Sequence, residues 1–290
     1  MSIAAINPAN YARRRIFSAF MDMLCTLAAL VGLVLLALIL LTLVERGFGG
    51  LSFNIFTRPM LTHNGGLANA IVGSLIQTGL AILVGAPLGI AVGVYLAEVG
   101  QTGRFASIVR FVNDILLSAP SILIGLFVYE IFVVPHAPFL SGGFSGMAGA
   151  TALALLAMPV VARTTEDIIK LVPDAYREGS VALGARESVT ILRVVIPAAF
   201  GGILTGILLA VARISGETAP LLFTSFGNTG WTRDWLHGPM SSLPLAIYTY
   251  AKDPSNELNR LAWAGALIIT VAVLVLNIVS RASHYLITKR

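Results

Sequence analysis

Charged residues are scarce in this chain of 290 residues, since only 11% of them are Asp, Glu, Lys or Arg, whereas soluble domains carry about 25%. Hydrophobic residues make up 57% of the chain, and no polar stretch is long enough to fold as a soluble domain. These proportions exclude a water-soluble globule and a disordered chain. They predict an all-α integral membrane protein.

Several kinds of chemical site are also missing. The single cysteine, Cys25, excludes a disulfide framework within the chain and any multi-cysteine metal site. The only lysines, Lys170, Lys252 and Lys289, stand outside a Gly-Lys-Ser/Thr context, so the chain has no P-loop for ATP. Four histidines are scattered without metal-ligand spacing. We therefore expect no catalytic residue, metal or cofactor in this chain.

Long charge-free runs mark the membrane spans, because about 20 apolar residues are needed to cross a bilayer. The clearest run is Met23–Val44, which follows Arg13, Arg14 and Arg15. It is too long for the apolar core of a cleaved signal peptide, and no Ala-x-Ala-like site follows it. We predict an N-terminal segment over 1–22 and one membrane domain over 23–290. Its six spans are expected at about 23–44, 69–97, 113–134, 145–163, 194–224 and 261–281.

The distribution of basic residues gives an orientation. If the N-terminus is cytoplasmic, 13 of the 19 Lys and Arg residues lie on the cytoplasmic side and five on the outer side, which leaves Arg213 within a span. This asymmetry is what the positive-inside rule predicts. It accounts for the net charge of +5 without a nucleic-acid partner. Both termini are expected in the cytoplasm of a prokaryote, with the protein in its inner membrane.

Glycines recur at four-residue intervals in two spans, a spacing that places them on one helix face. Gly85, Gly89 and Gly93 lie in the second span, and Gly202 and Gly206 lie in the fifth. Such faces allow close approach of a neighbouring helix. We expect these five residues to serve helix packing.

The longest inner loop, 163–193, contains a short amphipathic segment. Pro173 and Asp174 favour a helix start, and apolar Val181 and Leu183 follow among charged residues. Periodicity alone leaves two interpretations equally open. The 173–187 segment is either a docking surface for another protein or a helix that lies on the bilayer.

Within that loop, the stretch EGSVALGARESVTILRVVIP resembles the cytoplasmic loop motif of ABC-importer permeases. The motif runs Glu-Ala-Ala, three residues, Gly, nine residues, Ile-x-Leu-Pro, and Glu178, Gly184 and Pro197 fall at its spacing. Gly179 and Ser180 replace the two alanines. The resemblance implies a type I ABC-importer permease architecture in which 173–187 is a coupling helix. It also implies that Glu178, Gly179, Ser180, Ala182 and Gly184 contact a separate ATP-binding subunit.

A second stretch, ARISGETAPLLFTSFG, resembles the permeases of phosphate-specific importers, in which a Gly-Glu-Thr-Ala-Pro-Leu-Leu segment follows a membrane arginine. Residues 216–222 match that segment without a gap. Besides the lipid bilayer, the resemblance implies three partners: a second permease, a dimer of the ATP-binding subunit and an extracytoplasmic phosphate-binding protein. ATP and Mg are expected to be bound by the ATP-binding subunit.

Arg213 and Glu217 are one helical turn apart in the predicted fifth span, so we expect them to share a helix face. Ionisable residues within a membrane usually mark a pathway or a paired site. Arg213 is therefore a candidate to bind the phosphate anion, with Glu217 to weaken its hold and Thr218 nearby. Thr224 and Ser225 are further hydroxyl candidates. The alternative is an internally neutralised pair or an arginine that reaches the outer interface.

The resulting hypothesis is a permease for an ATP-driven phosphate importer. Two alternatives stay open: a permease for another oxyanion, such as sulfate, molybdate or tungstate, and an ion-coupled secondary transporter. The second would leave the 173–187 segment unexplained. A purely structural membrane protein is a further possibility, which the membrane charges Arg213 and Glu217 argue against.

Overall fold

The computed structural model of the chain describes residues 8–60, 65–100, 103–134, 142–234 and 237–288. The regular elements within those ranges are helices. Five helical segments are long and apolar enough to cross a membrane. They are Arg13–Gly50, Ala68–Val99, Gly146–Lys170, Glu187–Ile214 and Asn256–Val279. A sixth span is obtained if the bent pair Arg104–Ser118 and Ser121–Val133 is counted as one.

The helices of the first half of the chain are numbered in order. They are α1 (Pro8–Gly50), α2 (Asn54–Thr57), α3 (Ala68–Val94), α4 (Arg104–Ser118), α5 (Ser121–Val128) and α6 (Gly146–Lys170). A π-helical turn extends α3 over Tyr95–Val99, and another extends α5 over Tyr129–Val133. We call Tyr95–Val99 the α3 tail.

The second half contains six more helices. They are α7 (Asp174–Ala182), α8 (Glu187–Thr190), α9 (Ile196–Ile214), α10 (Ala219–Thr224), α11 (Leu243–Ala251) and α12 (Asn256–Thr288). A π-helical turn over Ile191–Val195 joins α8 to α9, so these two helices form one span.

The third predicted span, 113–134, is not one straight helix. The chain bends by 105° between α4 and α5. The break falls at Ala119, whose backbone is extended (ψ 137°) because the residue before a proline, here Pro120, avoids the helical region. The helix on the N-terminal side of the break also begins earlier than predicted, at Arg104.

The fifth predicted span, 194–224, also differs from the structure. The spanning helix ends at Ile214 and the separate helix α10 begins at Ala219. Pro220 lacks the backbone N–H that a continuing helix would need, and its ring hinders a helical approach from the preceding turn. The helix therefore stops, and the chain turns through 215–218 before it resumes.

Other predicted boundaries shift without a change in the helix that they delimit. α1 begins at Pro8, inside the predicted N-terminal segment 1–22, and α6 continues past 163 to Lys170. The predicted 173–187 helix is shorter, since α7 covers Asp174–Ala182. It ends where Gly184 takes a positive φ of 81°, a conformation that glycine adopts without strain.

The central helix α6 packs against α3 through the glycine face of α3. Gly85, Gly89 and Gly93 all approach α6. A Cβ added at Gly89 would lie 2.7 Å from the carbonyl oxygen of Met158, and one added at Gly93 would lie 2.6 Å from that of Ala162. The two backbones are therefore too close for any larger side chain.

Helix α9 packs against α6 in a similar way. A Cβ at Gly202 would lie 2.5 Å from the Cγ2 of Ile168, and one at Gly206 would meet the side chain of Thr164. All five glycines predicted from their spacing thus lie against α6. Since α3 and α9 both pack on α6, these three helices form the centre of the described fold.

We predict that Gly89→Leu destabilises the protein by about 1–3 kcal/mol, the usual cost of overpacking, because the new side chain would meet α6. The matched control is Gly79→Leu in the same helix, since a Cβ at Gly79 meets no atom within 4 Å. Thermal unfolding of the purified chain measures both. Equal melting temperatures for the two variants would contradict this account of the α3–α6 contact.

Candidate functional site

The short helix α7 has no buried residue, and most of its residues are exposed. Its apolar side chains and those that follow it point outward: Tyr176 is 57% exposed, Val181 59% and Leu183 90%. Asp174 lies in its first turn, where a carboxylate is favoured by the helix dipole. Exposed apolar side chains on a charged helix are typical of a protein interaction surface.

The structure places the predicted coupling residues on this surface. Four of the five are exposed: Glu178, Gly179, Ala182 and Gly184. A Cβ at Gly179 would meet no atom within 4 Å. Packing within this chain therefore leaves room for a larger side chain at this position. Ser180 is half-buried, and its hydroxyl is hydrogen-bonded to that of Thr190 at 2.8 Å. That bond ties α7 to α8 and hence to the span that α8 begins.

Arg177 fixes α7 to the spanning helices. Its guanidinium lies 2.6 Å from a carboxylate oxygen of Glu98 in the α3 tail and 3.1 Å from Asp174. It also donates to the carbonyl oxygens of Ile169 (3.1 Å) and Val172 (2.6 Å). Ile169 belongs to the last turn of α6 and Val172 lies just beyond it, so Arg177 adds donors where the carbonyls of a helix end have few partners within the helix. One side chain thus joins α3, α6 and α7.

The Arg177 contact is largely shielded from solvent, since the side chains of Arg177 and Glu98 are 22% and 9% exposed. Its hydrogen bond to Glu98 raises the pKa of the Arg177 guanidinium. A raised pKa in the folded state means that the contact weakens only as the pH rises above the ordinary arginine range. The guanidinium therefore stays charged at every physiological pH.

A second ionic cluster lies beside the first. Glu166 of α6 is 2% exposed, and its carboxylate lies 2.8 Å from Arg110 of α4 and 2.5 Å from Lys170. Arg110 also donates to the carbonyl oxygen of Leu96 at 2.8 Å. The α3 tail is therefore bound by Arg110 from one side and by Arg177 from the other.

The predicted pair of membrane charges lies at the break after α9. Arg213 is in the last turn of α9, whereas Glu217 and Thr218 lie in the connection to α10. They therefore do not share a helix face, because the helix ends at Ile214. Arg213 is exposed, and Glu217 and Thr218 are partly exposed. Within the ranges that the structure describes, neither Arg213 nor Glu217 forms an ion pair.

The other two hydroxyl candidates are placed differently. Thr224 and Ser225 are both fully buried. Their hydroxyls donate to the carbonyl oxygens of Pro220 (2.8 Å) and Leu221 (3.2 Å) within α10. Neither hydroxyl is accessible to a solute in this conformation.

A buried amide beside α10 has no partner and was not among the predicted residues. Gln77 of α3 is fully buried, and neither of its amide atoms makes a hydrogen bond. A Cβ at Gly149 of α6 would touch both its Oε1 and the Cβ of Ser225. A buried polar group without a partner costs about 1–3 kcal/mol. A movement of α10 that gave the amide a partner would remove that cost.

The family model described as "binding-protein-dependent transport system inner membrane component" matches residues 89–290. A relative from Yersinia pestis, named phosphate transport system permease protein PstA, is 51% identical over 255 residues, which cover 87% of this chain and 84% of the relative. A protein of the same name from Haemophilus influenzae is 49% identical over 88% of this chain and 89% of its own length. The chain belongs to the PstA permease family.

Solved structures show the same fold for the permease. A chain of the MetNI methionine ABC transporter in an inward-facing conformation matches 77% of this chain and 94% of its own, with a TM-score of 0.59 and 17% identity. A chain of a bacterial alginate ABC transporter, solved with an alginate-bound periplasmic protein, matches 92% of this chain and 93% of its own, with a TM-score of 0.62 and 14% identity. The permease thus has the type I ABC importer fold and is a multi-pass inner membrane protein.

The most connected residues of the permease were not singled out from the sequence. Glu98 and Arg177 are 79 positions apart, and Arg110 and Glu166 are 56 apart, so spacing could not pair them. One of these contacts could have been predicted from the sequence. Glu166 and Lys170 in α6 are four positions apart, which is the spacing of an ion pair on one helix face.

We predict that Arg177→Gln loosens α7, because it removes the guanidinium that binds the Glu98 carboxylate and donates to the Val172 carbonyl. The expected loss of stability is about 1–3 kcal/mol, the range for a buried group that loses its partner. Hydrogen exchange of the amides in 174–182 should become faster, while exchange within α12 stays unchanged. The matched control is Arg104→Gln, since Arg104 is an exposed arginine at the start of α4. Unchanged exchange of α7 in the Arg177 variant would contradict the role given to this arginine.

Proposed function

We propose that this chain is the membrane-spanning subunit of an ATP-driven importer for inorganic phosphate. The observation that carries the proposal is the similarity to permeases named for phosphate transport, at 49% and 51% identity over most of each chain. The geometry of α7 and of the break after α9 is consistent with such a role.

The coupling site is the exposed surface of α7. Glu178, Gly179 and Ala182 face away from the spans, as do the apolar side chains of Val181 and Leu183. A dimer of a separate ATP-binding subunit binds this surface and carries the ATP and Mg, so this chain does no chemistry itself. Closure of that dimer displaces α7, and Arg177 transmits the displacement to the α3 tail and the end of α6.

The orientation follows from the same surface. The end of the molecule that carries α7 faces the cytoplasm, where ATP is available, and both termini lie on that side. Arg110, Arg163 and Lys170 at this end agree with the positive-inside rule. The protein lies in the inner membrane of a prokaryote.

Two further partners complete the importer. The long helix α1 contributes little to the core, since only 6% of its most apolar window is buried. Its remaining surface is available to the lipid bilayer and to a second permease subunit. An extracytoplasmic phosphate-binding protein delivers the anion at the opposite end from α7. The printed title of the alginate transporter structure describes an analogous periplasmic protein for that system.

The substrate pathway passes the break after α9. An exposed guanidinium such as that of Arg213 can bind two phosphate oxygens at once. Because the helix ends one residue later, nearby backbone and Thr218 are also free to contact a passing anion. Glu217 keeps the local charge low enough that the anion is released rather than trapped, as conduction requires.

The alternatives have less support. A permease for sulfate, molybdate or tungstate would share this fold, but the relatives compared above carry phosphate names. An ion-coupled secondary transporter would have no use for the exposed surface of α7. Neither alternative is favoured by a specific contact in the structure.

We predict that Arg213→Lys lowers uptake of labelled phosphate about tenfold to a hundredfold, because lysine keeps the charge but cannot bind two oxygens in a fork. The estimate corresponds to about 1.5–3 kcal/mol for one charged hydrogen bond. Uptake by cells that lack the gene and express each variant at equal membrane abundance measures the effect, with sulfate and molybdate as competitors. The matched control is Arg193→Lys, an exposed arginine at the other end of the same span. Full uptake in the Arg213 variant would show that this residue does not bind the anion. Strong competition by sulfate or molybdate in cells with the wild-type chain would overturn the assignment of phosphate.

We predict that Leu183→Asp leaves the fold intact, because the side chain is 90% exposed, but weakens binding of the ATP-binding subunit. Co-purification of that subunit should fall several-fold, and phosphate uptake should fall with it. Leu183→Met keeps an apolar side chain and serves as the control. Equal co-purification in the two variants would show that α7 is not the docking surface.

A further inference from the structure

A polar groove of about 560 Å³ lies between the end of α1 and the start of α12. It is lined by Arg46, Gly49, Asn256, Asn259, Arg260 and Trp263. The groove shares no residue with α7 or with the break after α9, so the proposed function gives it no role.

Two arginines, Arg46 and Arg260, line this groove. The Arg46 guanidinium lies 5.3 Å from the centre of the Trp263 ring, a cation–π contact that restrains the side chain. Among the residues that the structure describes, neither Arg46 nor Arg260 pairs with a carboxylate. Glu45 and Glu257 are neighbours in sequence but do not line the groove. The positive charge is therefore not neutralised by acidic residues of the lining.

The groove is open and is bounded by hydrogen-bond donors. A Cβ at Gly49 would meet no atom within 4 Å, so the absence of a side chain there leaves space beside the arginines. The amides of Asn256 and Asn259 supply further donors, and they belong to the first turn of α12, where the helix dipole favours an anion. Arginines and asparagines around open space are suited to a phosphate group.

The position of the groove indicates where that phosphate group comes from. Arg46 lies two residues after Val44, the end of the charge-free run, which places it at the boundary between the hydrocarbon and the headgroups. Trp263 is of a type enriched at that depth. Only five Lys and Arg residues are predicted on the outer side of the membrane, and Arg46 and Arg260 are two of them.

We propose that this groove binds a phosphate group at the extracytoplasmic surface of the inner membrane. The phosphate group is supplied by the headgroup of an anionic phospholipid. The two arginines bind the phosphate oxygens and the asparagines donate to the remaining ones. Free inorganic phosphate shares this chemistry and is the second possible source. The lipid is the primary assignment because the groove lies at headgroup depth.

Native mass spectrometry of the purified full chain tests the proposal. The chain is titrated with phosphatidylglycerol, with phosphatidylcholine of the same acyl chains, and separately with inorganic phosphate. The test variants are Arg46→Gln/Arg260→Gln, which removes the cations, and Gly49→Leu, which fills the groove and keeps them. The matched control is Arg233→Gln/Lys252→Gln, which removes two other basic residues predicted for the same side of the membrane.

The proposal predicts that wild type and the control retain phosphatidylglycerol in preference to phosphatidylcholine, and that both test variants retain at least tenfold less of it. If inorganic phosphate binds and phosphatidylglycerol shows no preference, and both test variants abolish that binding, the phosphate site stands with free phosphate as its source. Equal retention of both ligands by wild type and the test variants would overturn the proposal, and it would leave the proposed transport function unaffected.

Discussion

The structure depends on hydrogen bonds to the backbone carbonyl groups at those ends of the spanning helices that lie near α7. The last carbonyl groups of a helix have no intrahelical donors, and in this protein two arginines from other elements supply them. Arg177 donates to the end of α6 and binds Glu98, while Arg110 donates to Leu96 and binds Glu166. These side chains do more than neutralise charge, because each joins helices that are distant in sequence.

The glycine contacts make the spans that receive these arginines a tightly packed unit. α3 and α9 both lie against α6 with little room for side chains, as at Gly89 and Gly202. Such packing transmits displacement because a close-packed interface has low compressibility. Under the proposed function, a force applied to α7 would be passed to the α3 tail by Arg177 and then along α3 and α6. Arg213 lies just before the break that leads to α10, and the buried amide of Gln77 lies near Ser225 at the end of α10. In the proposed pathway, a rearrangement of α10 would change the groups that an anion meets.

Much of the architecture could be predicted from the sequence, because charge-free runs of sufficient length have few alternatives in a membrane protein. The all-α fold is confirmed, and the α7 segment was recognised from Glu178, Gly184 and Pro197. The break at Ala119 was not predicted, and the predicted fifth span ran through the break after Ile214. Each break has a local cause in the proline that follows, at Pro120 and Pro220. The ionic contacts of Arg177 and Arg110 could not be predicted, since their partners become neighbours only when the spans pack. The assignment of Arg213 and Glu217 to one helix face was wrong because α9 ends at Ile214, between the two residues.

The central claim is that α7 and α3 move as one body when the ATP-binding subunits close. The most direct test is a distance measurement by double electron–electron resonance in the assembled transporter, with Cys25, the one native cysteine, replaced by serine. Spin labels are placed at Ala175 in α7 and at Leu83 in α3, both exposed positions. The account predicts the same narrow distance distribution with and without ATP in the wild-type background, and a broader one when Glu98→Gln is added. A distance that changes by several ångströms on ATP binding in the wild-type background would show that α7 moves independently of α3 and would contradict the account.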